Sequence, residues 1–146
     1  MTGISRFSTG FPVTLGEGDD RALTAIGFDF PNVVSNVQIQ NPRNGGPNGP
    51  NTYFLPNSFT TETLGVTGNA AARFFHGPGI INTDFGLGKR IPITESKAIQ
   101  IRAEFFNIFN HTNFNNPVGN IASSQFGEVT SAQAPRIGQI SAKFIF

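Results

Sequence analysis

Four strand-length stretches of this chain alternate apolar and polar residues at period two. A single sheet built from them would carry one face of Phe, Ile and Leu, with no second layer of its own to cover it. In residues 3–15, Phe7, Thr9, Phe11, Val13 and Leu15 share one face, and Arg6, Ser8, Gly10 and Thr14 share the other. Pro12 removes one ladder donor there and suits a strand end or an edge. In residues 81–93, Ile81, Thr83, Phe85, Leu87, Ile91 and Ile93 alternate with Asn82, Asp84, Gly86, Gly88 and Arg90. Lys89 interrupts the apolar face, where its long stem can lie along apolar surface with the ammonium at the rim. In residues 97–110, Ile99, Ile101, Ala103, Phe105 and Phe109 oppose Gln100, Arg102 and Glu104, and Phe106 and Ile108 make the far end apolar on both sides. Residues 102–110 also fit a short helix, but the β-branched start favours a strand. In residues 135–146, Ile140, Ala142, Phe144 and Phe146 alternate with Gln139, Ser141 and Lys143, and Ile145 falls on the polar side.

The connections between these stretches are unequal. Thr94-Glu95-Ser96-Lys97 is a short polar turn, whereas residues 16–80 and 111–134 read as long loops. The first is rich in Gly, Pro and Asn, with Asn41-Pro42-Arg43-Asn44-Gly45-Gly46-Pro47-Asn48-Gly49-Pro50 at its centre. The 17 Gly and 10 Pro count against a helical bundle, and 16 Phe with 13% charged residues counts against a disordered chain. Compact soluble domains rarely carry structureless loops of this size, whereas outer-membrane barrels pair short turns on one side with long loops on the other. With the C-terminus on the periplasmic side, the short turn falls in the periplasm and both long loops fall outside. The fold expected is therefore all-β: about four antiparallel strands of an outer-membrane barrel, open and incomplete, because the smallest closed single-chain barrels have about eight.

Other classes are excluded on simple grounds. A net charge of +1 without a basic stripe argues against nucleic-acid binding. The absence of Cys excludes disulfides and thiolate metal sites. No apolar run is long enough for a membrane-spanning helix, and the first six residues lack the apolar core of a signal peptide.

The segment Ile101-Arg102-Ala103-Glu104-Phe105-Phe106-Asn107-Ile108-Phe109-Asn110-His111-Thr112-Asn113-Phe114 resembles a hallmark near the end of certain TonB-dependent outer-membrane receptors. These are the Oar-like type, with a carboxypeptidase-regulatory-like domain at the N-terminus. His76-Gly77-Pro78-Gly79, Asn82-Thr83-Asp84, Ser123-Ser124-Gln125-Phe126-Gly127 and Pro135-Arg136 with Gln139 carry the same resemblance; Gly10-Phe11-Pro12-Val13-Thr14 and Asn57-Ser58-Phe59 match less closely. Gln139, Phe144 and the terminal Phe146 resemble the signal by which outer-membrane clients are recognised for assembly, with Ser141 where that pattern usually has Gly. The resemblance implies a bacterial outer-membrane location and nutrient uptake by a parent barrel of about 22 strands. It also implies partners: the remainder of that barrel with its plug, membrane lipid and the assembly machinery. This chain alone is not expected to transport.

Candidate site residues are few. Asp84, Arg90, Arg102 and Glu104 fall on polar faces and read as a ladder of neighbouring lumen-facing charges, in preference to a substrate or ion path. His76 and His111 lack the companions a metal site needs, and are placed at loop ends. Glu17, Asp19 and Asp20 could chelate calcium, but a solvated loop is the better reading. Asn110-His111-Thr112 matches a glycosylation sequon without bacterial meaning, and Gly45-Gly46 does not follow a strand or open a helix as a phosphate loop would. With no nucleophile–base set suggested, the expectation is a non-enzyme without metal or cofactor. The second function class is a self-associating structural β-protein. Unpaired strand edges invite copies of the same chain, giving oligomers, fibres or tubes.

Overall fold

The computed structural model describes residues 1–44 and 49–146, so Gly45-Gly46 lies outside the described residues. The strands are β1 (Thr2–Ser8), β2 (Pro12–Val13), β3 (Asn32–Val33), β4 (Phe59–Thr60), β5 (Phe75–His76), β6 (Ile80–Pro92), β7 (Ala98–Phe106) and β8 (Ile137–Ile145). The described residues contain no α-helix, only a 3-10 turn at Pro56–Ser58. Two compact units result. One comprises Met1–Ser8, Gly79–Asn113 and Gln133–Phe146; the other comprises Thr9–Pro78 and Phe114–Ala132.

The first unit is an open antiparallel sheet in the order β1-β6-β7-β8. Its register carries the alternation from strand to strand, because directly opposed residues share a face. Phe85 faces Phe105, which faces Gly138; Leu87 faces Ala103, then Ile140; Ile91 faces Ile99, then Phe144. Ser8 pairs with Ile80, and Phe106 with Ile137, so the chain leaves and re-enters the sheet at one end. The opposite end holds the turn between β6 and β7. There Ile93 N and Thr94 N donate to Lys97 O, and Lys97 N donates to the Thr94 hydroxyl.

Three sheet strands are shorter than their alternation predicts. β1 stops at Ser8 rather than continuing to residue 15. A Cβ on Gly10 would lie 1.8 Å from Gly77 O, so two backbones touch at a point where only glycine fits. Beyond it, Pro12–Val13 pairs with Phe75–His76 and not with the large sheet. Phe11, Val13 and Leu15 therefore do not belong to the sheet's apolar face. β7 stops at Phe106 rather than at residue 110, because Asn107 and Asn110 adopt left-handed backbone, with φ of 50° and 52°. The Asn107 side chain accepts from His111 N and donates to His111 O, while Asn107 N donates to Asp84 and Ile108 N to Thr83 O. This knot ends the strand and turns the chain. β8 begins at Ile137, two residues later than the pattern suggests.

The second unit departs most from expectation. The two loops expected to lack structure share one hydrophobic core with the end of the stretch expected as the first strand: Val13, Leu15, Tyr53, Phe54, Phe59, Phe126 and Val129 are buried together, with Val33, Val37, Phe74, Phe75, Phe114 and Ile121 packed against them. Phe54 is fully buried (0% exposed) and makes edge-to-face contacts with Phe59, Phe75 and Phe126 at ring-centroid distances of 5.5, 5.1 and 5.1 Å. Small ladders and bridges tie the segments: β3 pairs with β4, Gly16 bridges Asn120, and Thr52 bridges Glu128. Gly127, at φ +86°, lets the chain pass against Phe54, whose carbonyl oxygen would lie 2.5 Å from any Cβ.

Candidate functional site

The sheet's two faces form the candidate site. On one, Phe7, Ile81, Leu87, Ile91, Ile101, Ile140 and Phe144 are all exposed, Phe7 at 72% and Ile140 at 78%. Taking such a side chain from full exposure to full burial is worth about 1.5–3 kcal/mol, and these seven are about half exposed, so this face leaves on the order of 5–10 kcal/mol of apolar transfer energy unclaimed. That is comparable to the whole stability of an ordinary domain, roughly 5–15 kcal/mol. A water-exposed role for this face is therefore disfavoured by a margin larger than any single interaction in the sheet. Lys89 stands on this face opposite Ile101 and is exposed.

The other face is polar and holds two open clefts. One, of about 370 Å³, is lined by Thr2, Gly86, Gly88, Arg90, Gln100, Arg102 and Glu104 among others. The second, of about 310 Å³, lies along Gln100, Arg102, Glu104, Ser141 and Lys143. Gly86 and Gly88 stand opposite Glu104 and Arg102 and present no side chain there, which leaves room above the strand. Of the four ladder residues, Arg102 and Glu104 meet directly: Arg102 Nη1 lies 3.4 Å from Glu104 Oε1. Gln139 completes the group by donating to Glu104 Oε2 at 2.6 Å. Both ion-pair partners are solvent-accessible, so the pair orders the cleft more than it stabilises the sheet. Arg90 lines the first cleft opposite Gln100, which in turn faces Lys143. Asp84 does not join them. Its Oδ1 accepts from Asn82 Nδ2 at 2.8 Å and from Asn107 N at 2.9 Å, so it braces the strand end.

The three residues of the terminal pattern divide between faces. Gln139 is on the polar face, Phe144 is on the apolar face opposite Ile99, and Phe146 follows the strand and stacks on Phe144 at 6.0 Å. His111 is held in the strand-end knot, with Nδ1 3.2 Å from Asn113 Oδ1. His76 lies in β5, and its carbonyl accepts the Tyr53 hydroxyl. Among the described residues, no group of three or more His, Asp or Glu side chains is placed to hold a metal ion.

The acidic segment corrects one expectation. Asp20 accepts from Thr24 N and Ala25 N in an exposed turn, but Glu17 is not solvated. It is 4% exposed and faces Glu62, which is 1% exposed. Burial, then the neighbouring Glu62 carboxyl group, raise the Glu17 pKa from 4.5 to about 7; nearby Arg21 opposes the shift and Asp29 adds to it. Sequence reasoning misses Glu62 because it stands alone in Thr60-Thr61-Glu62-Thr63 with no period or spacing to Glu17. The bracing role of Asn107 was within reach, since Asn tolerates left-handed backbone and often ends strands.

Comparison with known proteins adds one positive result: a family model described as "Outer membrane beta barrel domain" matches residues 1–139. Searches of the curated proteins and of the solved structures returned no match.

Proposed function

Because this chain belongs to the outer membrane beta barrel domain family, and its location is accordingly an outer membrane, we propose that it is the C-terminal part of a TonB-dependent receptor barrel for nutrient uptake in a bacterial outer membrane. The carrying observation is the open four-stranded sheet, with one apolar face left uncovered and one polar, cleft-bearing face. In this reading the apolar face meets lipid hydrocarbon and the polar face lines the barrel lumen. Asp84 is then a strand-end brace, while Arg90, Arg102, Glu104 and Gln139 belong to the lumen wall. β1 and β8 are paired on one side only, and adjoin the missing barrel strands. Four strands cannot enclose a pore, so transport belongs to the assembled barrel with its plug. The assembly machinery is the partner assigned to Gln139, Phe144 and Phe146, and the reading gives the chain no enzymatic, cofactor or nucleic-acid role.

The same free edges favour a second reading, a structural protein whose copies pair edge to edge into oligomers, fibres or tubes, also outside the cell. The flanking DNA separates the two. An in-frame plug and barrel upstream supports the receptor; a complete short gene with its own secretion signal supports self-assembly. The face assignment is tested with tryptophan, which the chain lacks. In vesicles of brominated phosphatidylcholine, Ile140→Trp fluorescence is expected to be quenched and Ser141→Trp fluorescence spared. Equal quenching at the two positions, or a wild-type chain that stays monomeric in water without detergent, rejects the lipid-facing assignment.

A further inference from the structure

In the second unit, the segment around Glu17 and the segment around Glu62 are joined farther along the chain by the β3–β4 ladder, by Val33 N donating to Asn69 Oδ1 and by Ala70 N donating to Pro31 O, and close to the two glutamates by two more hydrogen bonds. Arg21 Nε donates to Glu62 O at 3.3 Å, and Gly65 N donates to Arg21 O at 2.8 Å. Within the first segment, Glu17 N donates to Asp29 O and Ala22 N to Asp29 Oδ2. Between the two segments lie the Glu17 and Glu62 carboxyl groups, both more than nine-tenths buried. Glu17 Oε1 and both oxygens of Glu62 are buried without a donor from any other group among the described residues. Two ionised carboxylates cannot share such a place: each would lose its hydration and repel the other. One carboxyl group that keeps its proton removes the repulsion and donates the hydrogen bond the site otherwise lacks.

We propose that Glu17 and Glu62 form a proton-operated latch, in which one shared proton holds the Glu17 segment against the Glu62 segment and its release to solvent lets them part. The charged groups facing the pair are Arg21, whose Nε lies 4.0 Å from Glu17 Oε2, and Asp29. Arg21 is well exposed and offsets only part of the repulsion; Asp29 adds to it. The sign follows from the Glu17 carboxyl, which holds its proton up to about pH 7 in the closed form and has an ordinary value of 4.5. Closure is therefore favoured most below 4.5. It weakens as pH rises between 4.5 and about 7, and changes no further above that.

Amide hydrogen exchange of the full chain in detergent micelles tests the latch, with rates corrected for intrinsic pH dependence. The amide of Gly65, which donates across the junction to Arg21 O, reports on it, and those of Tyr53 and Val129 report on the core of the same unit. Protection at Gly65 is expected to fall at least about tenfold between pH 5 and 7.5 and then level off, with Tyr53 and Val129 steady. Glu17→Gln, which removes the carboxyl group that titrates, is expected to keep the junction protected throughout, and Glu62→Gln, which leaves Glu17 buried but relieves the repulsion, is expected to make the fall smaller and serves as a second variant should the first not fold. The latch is overturned by flat protection in the wild-type chain, by an unchanged fall in a folded Gln variant, or by a parallel fall at Tyr53 and Val129.

Discussion

Phenylalanine is used in opposite ways by the two units. In the sheet, Phe7 and Phe144 stand out from a single layer and remain exposed. In the loop unit, Phe54 sits at the centre of a cluster of edge-to-face rings and is closed off from solvent. The same residue type at similar density thus yields a surface in one place and a core in the other. What decides is the geometry of the backbone. Regular strands send alternate side chains to a shared outer face, while a folded-back irregular chain converges side chains from segments far apart in sequence. The sheet needs a second apolar phase to complete its burial, whereas the loop unit supplies its own.

Four substitutions would break or sharpen that contrast. The largest effect is expected from Phe54→Ala, at about 3–5 kcal/mol, since it empties the centre of a closed core. Exchange protection should collapse at Tyr53 and Val129 while the β7 amides hold; a parallel loss in β7 would show that the units do not hold separate cores. Next, Leu87→Arg on the apolar face should cost about 2–4 kcal/mol in urea unfolding from lipid vesicles, the penalty of a cation near the bilayer midplane. Ser141→Arg, on the polar face one row away, should stay within about 0.5 kcal/mol. Equal costs for the two would erase the distinction between faces. The smallest effect is expected from Arg102→Ala. It removes a half-exposed ion pair worth about 1 kcal/mol or less, with no measurable shift in unfolding midpoint but altered binding of anionic dyes in the clefts.

How legible this was in the sequence differs by unit for the same reason. Alternation marks which residues of β6, β7 and β8 share a face, because in a strand the face follows from position alone. The same alternation misleads over residues 9–15. Val13 and Leu15 keep the period perfectly but are buried in the other unit, and nothing in a period of two says which strand will be the partner. The backbone contact between Gly10 and Gly77, which diverts the chain, joins positions far apart in sequence and has no local signature. The core built by Tyr53, Phe54, Phe59, Phe126 and Val129 is equally invisible, since irregular chain imposes no spacing on the residues it brings together. Of the candidate site, the neighbouring pair Arg102 and Glu104 was readable from one strand. The removal of Asp84 into the strand-end knot depends on where β7 stops, and that is set by the left-handed Asn107.

Residues 9–78 and 114–132 are separate excursions from the sheet, yet Phe126 and Val129 of the second complete the burial of Phe54 and Phe59 of the first. They are therefore a matched set rather than two independently editable appendages. Exchanging one for its counterpart from a related barrel would strand half of an aromatic cluster, while transplanting both would carry the cluster intact.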